Sequence, residues 1–386
     1  MTSRERMLTA LRNQQPDMVP VAPDISNMIP CRLTGKPFWE IYLYQNPPRW
    51  KAYIEAVRYF GIDGWLDGAP FYLEPDATEK EEAVWQEVIV VRTQERIITR
   101  FYRERKGEKE WLEMARVYYR DNPPTTLPVA KIGLKTPPEK FEVVEKLARP
   151  TTLKEVKEYM GEDGVVGVSV CPPQLGPPDR GGYSIYDYHD RYSEVKAWAE
   201  RETEKRLKLL DRILASPVKP DFILTGGSGM LVFNTPAVIR DIALPCLKEI
   251  TRRCLKAGVP TQVHCCGPEK ELVRMCAEET DLSSINPLEP PPMGDCNLKE
   301  IKNLYGGKLS LMGNLHTSEV MLFGSVEKVR QAARQAIDEA AAGGGFILST
   351  GDQCGRDTPE ANIFAMVEVA RTYGRYGSVK KGIKEE

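Results

Sequence analysis

In TQVHCCG, residues 261 to 267, a histidine and two cysteines follow an apolar, β-branched run, in a chain that uses histidine only three times. If PTQVHCC is a strand, His264 and Cys266 share one face and Cys265 points to the other. Zinc commonly takes imidazole and thiolate together, and a catalytic zinc needs three protein ligands with one position left open. Cys354 in GFILSTGDQCGRDTP stands just past a second strand candidate, where Gly351 and Gly355 let the backbone turn its thiol inward. The competing reading is packing. Free cysteine is among the most buried residue types, and Cys31, Cys171, Cys246, Cys254 and Cys276 are assigned to packing by default. Cys265 and Cys296 remain as substitute ligands.

The elements that must position these residues are strands alternating with helices. Short apolar segments followed by turn residues occur at 19–24, 61–68, 165–170, 221–229, 260–266, 284–290, 309–315 and 345–352. Helical periodicity fills the gaps, as in SVEKVRQAARQAIDEAAAGG, where Val329, Ala333, Ala336, Ile337 and Ala340 recur at helical spacing and Gly343 to Gly345 stop the run. Strand then helix, repeated with short joints, predicts a parallel sheet. Eight such strands favour a closed (β/α)8 TIM barrel over an open doubly wound sheet, for which no dinucleotide fingerprint is present. The expected organisation is a single barrel domain over residues 1–386. Residues 78–150 alternate apolar and polar positions around polar turns, which predicts an antiparallel β-meander inserted between the second and third strands.

Barrel enzymes build their sites at the C-terminal ends of the strands, so further candidates are read there. Asp24 ends the first strand as an acid or substrate anchor. GGSG at 226–229 ends the fourth, with Gly227 and Ser228, together with Asn314, taken as cofactor contacts. Glu289 and Asp295 follow the sixth strand: Glu289 is read as a fourth metal ligand or proton donor, and Asp295 as a cap for the helix NLKEIKNLY. His316 ends the seventh strand and either donates a proton or bonds a loop carbonyl. Asp352, two residues before Cys354, is placed as the partner that fixes the His264 tautomer. Tyr183, Tyr186 and Tyr188, in a Pro-rich loop, are either an aromatic substrate wall or the cover of the loop's own small core.

With 386 residues, 41% hydrophobic and 28% charged, and a formal net charge of -2, the chain has no excess charge that asks for nucleic acid or an anionic membrane. No apolar run approaches the roughly 20 residues of a membrane helix. Nine cysteines at irregular spacing, with no secretory signal, point to reduced thiols in the cytoplasm.

RERMLTALRNQQPDMVPV resembles the opening of the uroporphyrinogen decarboxylase superfamily, and HCCG, INPLEPPPMGDCNLKEIKNLYGGKLSLMGNLHT and GGFILSTGDQCGRDTPEANIFAMVEVARTYGRY resemble its cobalamin-linked methyltransferase branch. The resemblance implies a (β/α)8 barrel and zinc on His264, Cys266 and Cys354. It also implies methyl transfer between a small molecule and the cobalt of a corrinoid carried by a separate protein, since no DxHxxG corrinoid signature appears. Two directions follow. The favoured one is demethylation of a methoxylated aromatic, with the methyl group passed to the corrinoid protein. The other takes methyl from the corrinoid to a thiol such as coenzyme M, or to tetrahydrofolate. Decarboxylation of a uroporphyrinogen is disfavoured, because the segment after the first strand reads APDISNMIP, with no arginine until Arg32 to meet the substrate's carboxylates. A non-catalytic binding protein and a closed structural zinc site stay as alternatives, and homodimerisation is compatible with the sequence.

Overall fold

The computed structural model describes residues 1–69, 85–105, 107–144, 151–177, 182–227 and 229–377. They form two compact units. One comprises Met1–Asp24 with the described parts of 57–71 and 153–386, and the other Ile25–Ala56 with the described parts of 72–152.

The first unit carries a parallel sheet of seven strands in the order Gly64–Leu66, Gly164–Ser169, Phe222–Thr225, Thr261–His264, Ser284–Asn286, Ser310–Leu315, Phe346–Thr350. Every neighbour in the sheet is also the next strand of this unit along the chain, the topology of a TIM barrel. The first expected strand, VPVAPD, closes the ring without being a regular strand. Val21 bridges Leu348 in parallel, Ala22 N–H donates to Leu348 O at 2.9 Å, and Asp63 N–H donates to Val21 O at 2.8 Å. Pro20 and Pro23 lack N–H groups, so this segment has no donor at either position and cannot form a continuous ladder.

The outer helices follow the sequence periodicity. Val326–Ala340 is capped by Ser325, buries Val329, Ala333, Ala336, Ile337 and Ala340, and is followed by three glycines at positive φ. At the N-terminal end of the barrel, Ser3–Leu11 opens with a capping box between Thr2 and Glu5 and buries Met7, Ala10 and Leu11 against Trp65, Val165, Phe222, Met312 and Ile347. Arg6 on this helix reaches Asp63 at 2.7 Å and Asp17 at 2.8 Å, and Arg371 approaches Asp63 at 3.2 Å. The family-like opening segment thus does structural work at the end of the barrel remote from the site.

The second unit holds the expected meander, an antiparallel sheet of five strands in the order Thr125–Pro128, Glu108–Tyr119, Arg96–Arg105, Gln86–Arg92, Glu142–Val143. It lies in sequence between the second and third barrel strands, as read. Its two faces bury Ile89, Ile97 and Tyr118 in one cluster and Ile98, Ala115, Val117 and Val129 in another. Alternating residues of Arg96–Arg105 thereby fill opposite faces.

Candidate functional site

Residues 261 and 263 of the strand Thr261–His264 face the outer helices, while Gln262 and His264 face the barrel interior. Gln262 shows this directly, accepting from Trp65 Nε1 at 2.7 Å and donating to Ser284 Oγ at 3.1 Å. The regular strand ends at His264, and one further ladder bond, Cys265 N–H to Asn286 O at 2.9 Å, holds the next residue. Cys265 is buried, as expected for the opposite face, whereas Cys266 is half-buried beside His264.

His264 is the centre of the cluster. Its Nδ1 is buried with no hydrogen-bond partner among the described residues, and its Nε2 stands 4.0 Å from Asp352 Oδ1. Burial opposes protonation of the ring, but the Cys266 side chain and the carboxylates of Asp24 and Asp352 outweigh it and hold the pKa up at about 9. Asp352 is shifted upward, chiefly by burial and then by Asp24, with His264 opposing. Its φ of 120° is one that side chains rarely adopt. Cys354 is fully buried, and its amide donates to Asp24 O at 2.8 Å. Burial pushes its thiol up to about 12, with the Asp24 charge adding to the shift and a hydrogen bond with Thr350 opposing it. Asp24 is itself fixed by its N–H bonding Thr350 Oγ1 at 3.0 Å.

Glu289 is buried, and its Oε2 accepts the Gly267 N–H in a very short hydrogen bond, tying the loop after the sixth strand to the one carrying Cys266. Burial raises its pKa, and the Asp352 charge adds to that. Asn314 donates to Leu288 O at 3.0 Å. His316 Nδ1 accepts from the N–H groups of Ser318 and Glu319, at 3.2 and 3.1 Å, so the ring hydrogen belongs on Nε2, which is buried with no partner among the described residues.

Other expected residues have different surroundings. Tyr183 packs on Trp198 with ring centroids 5.3 Å apart, and Tyr188 donates to Asp241 Oδ2 at 3.0 Å. Both belong to a small core with Leu175, Val195 and Ile242, while Tyr186 is 67% exposed. A side chain on Gly227 would meet the Gln174 amide at 2.7 Å, and Ser228 lies outside the described residues. Asp295 is a cap, but of the preceding helix. Its Oδ1 accepts from Glu269 and Lys270 N–H at 2.7 and 3.0 Å, at the start of Lys270–Glu279, while Asn297 caps Leu298–Tyr305.

One residue was not singled out from the sequence. Glu269 is fully buried, its Oε2 accepts Leu288 N–H at 2.8 Å, and its Oε1 has no partner among the described residues. Burial, then the charges of Glu289 and Cys266, raise its pKa well above the usual carboxylate range. In the sequence it reads as an ordinary first-turn acid of a surface helix, and only the fold of the loop buries it.

Among the described residues, no three His, Cys, Asp or Glu side chains are already gathered around one point as a metal ligand set. The donors fit a borderline-soft cation in kind: an orphaned buried imidazole nitrogen, a thiol beside it, and a second thiol past the end of Phe346–Thr350, near the same Asp24 and Asp352.

Fold and site together define a (β/α)8-barrel protein whose polar cluster lies at the C-terminal ends of its strands. The uroporphyrinogen decarboxylase (URO-D) family matches residues 188–373, a little under half of the chain. A methyltransferase from Methanosarcina mazei is similar in structure, with a TM-score of 0.59 and 16% identity over 97% of this chain and 99% of that one. A B12-independent methionine synthase from Shewanella sp. W3-18-1, in complex with selenomethionine, matches at a TM-score of 0.35 and 15% identity over 60% of this chain and 69% of that one. No curated protein matches the sequence.

Proposed function

We propose that the protein is a methyltransferase that moves a methyl group between a small molecule and the cobalt of a corrinoid held by a separate protein, with zinc on His264, Cys266 and Cys354. The observation that carries this reading is His264, whose buried Nδ1 is unpartnered and whose ring is held among Cys266, Asp24 and Asp352 at the open ends of the strands. The Methanosarcina methyltransferase supports it through shared fold.

Bound zinc would act as a Lewis acid on a departing methoxy oxygen, or would lower the pKa of an acceptor thiol. The chain's own residues do the rest. Cys354, whose thiol is held neutral by burial, would have to give up its bond with Thr350, and its proton to solvent-exchanging groups, in order to hold the metal as a thiolate. Glu289, held toward its protonated form by burial, can deliver a proton to a basic leaving group. His316 presents an Nε2–H donor whose direction is set by the two backbone bonds on Nδ1. Asp24 and Asp352 hold negative charge beside the imidazole.

Donor-side chemistry on a methoxylated aromatic remains the favoured direction. The packing of Tyr183 and Tyr188 into their own core takes away part of the aromatic wall, and this favours assaying a thiol acceptor alongside. Purified protein is incubated with cob(I)alamin and a panel of methoxybenzoates and methoxyphenols, and in parallel with methylcobalamin and coenzyme M. Methylcobalamin formed from an ether supports the first direction, and turnover with the thiol alone supports the second. Turnover of neither, in protein that holds zinc, contradicts the methyltransferase reading.

A further inference from the structure

The loop after the strand Ser284–Asn286 is held by side chains from neighbouring segments, and two of these holds meet on one residue. Leu288 is fully buried with φ at 59°, in the left-handed region that favours glycine and is costly for a leucine. Both polar groups of its backbone are taken by side chains. Its N–H donates to Glu269 Oε2 at 2.8 Å, and its carbonyl accepts from Asn314 Nδ2 at 3.0 Å. Glu269 stands immediately before the helix Lys270–Glu279, and Asn314 belongs to the strand Ser310–Leu315.

The next residue is Glu289. Its carbonyl accepts Cys296 N–H at 3.0 Å, and its carboxylate turns back to take the Gly267 N–H. Packing around it is tight, since a Cβ on Gly294 would collide with Glu289 O and Gly267 O. A strained backbone persists only where its surroundings over-determine it, and Glu269 and Asn314 do so here from the two sides of Leu288. A return of φ to the ordinary negative range would rotate the chain beyond Leu288 and carry Glu289 away from Gly267. Glu269 Oε1 meanwhile has no partner among the described residues. A carboxyl costs free energy to bury, and one buried for a single backbone bond is explained by what that bond does.

We propose that Glu269 is a positioning residue for Glu289: through Leu288 it sets the backbone that brings the Glu289 carboxyl onto the Gly267 N–H, next to Cys266, with Asn314 as the second tie. Asn314 thereby serves the loop, where the sequence suggested a cofactor contact. The inference rests on the methyltransferase reading for the use made of the Glu289 proton.

The test follows the Gly267 amide in full-length protein carrying 13C-carbonyl cysteine and 15N-glycine. This labelling selects only the Cys266–Gly267 and Cys354–Gly355 peptide bonds, and a Cys354→Ser variant removes the second signal. A short hydrogen bond to a carboxyl moves an amide proton downfield. The expected result is a downfield Gly267 amide in the wild type and in Glu269→Gln, which keeps an acceptor oxygen in place, and an upfield move in Glu269→Ala. In the methyl-transfer assay Glu269→Ala should lose about 10- to 100-fold in kcat, as expected for a displaced proton donor. KM should change little, and Glu269→Gln should restore the rate. A merely structural Glu269 would lower the denaturation midpoint in Glu269→Ala and leave the Gly267 amide where it was, which overturns the proposal. A moved amide with unchanged kcat overturns it too. If Glu269→Ala does not fold, Asn314→Ala, which removes the other tie, is read by the same two outcomes. A wild type that transfers no methyl group defeats the functional reading, while the amide shift still decides whether Glu269 places Glu289.

Discussion

Asp352 Oδ1 stands 4.0 Å from His264 Nε2 on a backbone held at φ 120°, a conformation that suits glycine. A strained residue beside an ionisable cluster is stability given up at a site, the pattern expected where geometry serves function. Asp352→Gly should therefore gain on the order of 1 kcal/mol in a denaturant titration. It should also weaken metal binding about 10- to 100-fold in competition with a chelator. A variant that is both less stable and unchanged in metal affinity would show that the carboxylate serves packing alone.

Glu269 offers a second test because its oxygens are unequal. Oε2 accepts Leu288 N–H at 2.8 Å, while Oε1 has no partner among the described residues. Glu269→Ala leaves that N–H unpaired and should cost about 1–3 kcal/mol, whereas Glu269→Gln should cost far less. The folded pKa lies above the unfolded value, so folding takes up a proton, and the wild type loses stability as pH rises from the unfolded value through the folded one. Denaturation midpoints across that range should fall for the wild type and stay flatter for Glu269→Gln. Parallel curves would mean that the carboxyl is ionised in the folded protein.

At the other end of the barrel, Asp17 has the opposite sign. Burial works against its charge, but hydrogen bonds from Arg6 and the N-terminal amine prevail and lower its pKa to about 2. Its contribution is present above the unfolded pKa of roughly 4 and is lost as pH falls toward 2. Asp17→Asn should lower stability at neutral pH, where that contribution is fully present, and change it little near pH 2, so that the acid limb of the curve flattens. Arg6→Ala should cost about 3 kcal/mol or more at neutral pH, because it strips a buried partner from Asp63, although Arg371 remains. Thermal melts of the two variants at several pH values separate these effects.

The barrel was legible in the sequence because strand and helix periods alternate cleanly through residues 153–377, and the meander because its alternation is equally regular. The irregular first strand follows from Pro20 and Pro23, which the pattern of apolar residues hides. That His264 and Cys266 lie beside one another was legible from their two-residue spacing, although the regular strand ends at His264 and Cys266 lies just past it. Glu269 was not, since its burial comes from the fold of the loop and leaves no local mark. Asp295 was assigned to the wrong helix for a similar reason. It precedes one helix in sequence but lies against the start of another in space.

The most direct test of the zinc methyltransferase account is elemental analysis of protein purified without chelator, beside a Cys354→Ser variant. The account predicts near-stoichiometric zinc that falls sharply in the variant, with the fold retained by circular dichroism. Wild-type protein free of zinc, or a variant that keeps its full complement, contradicts the ligand set of His264, Cys266 and Cys354.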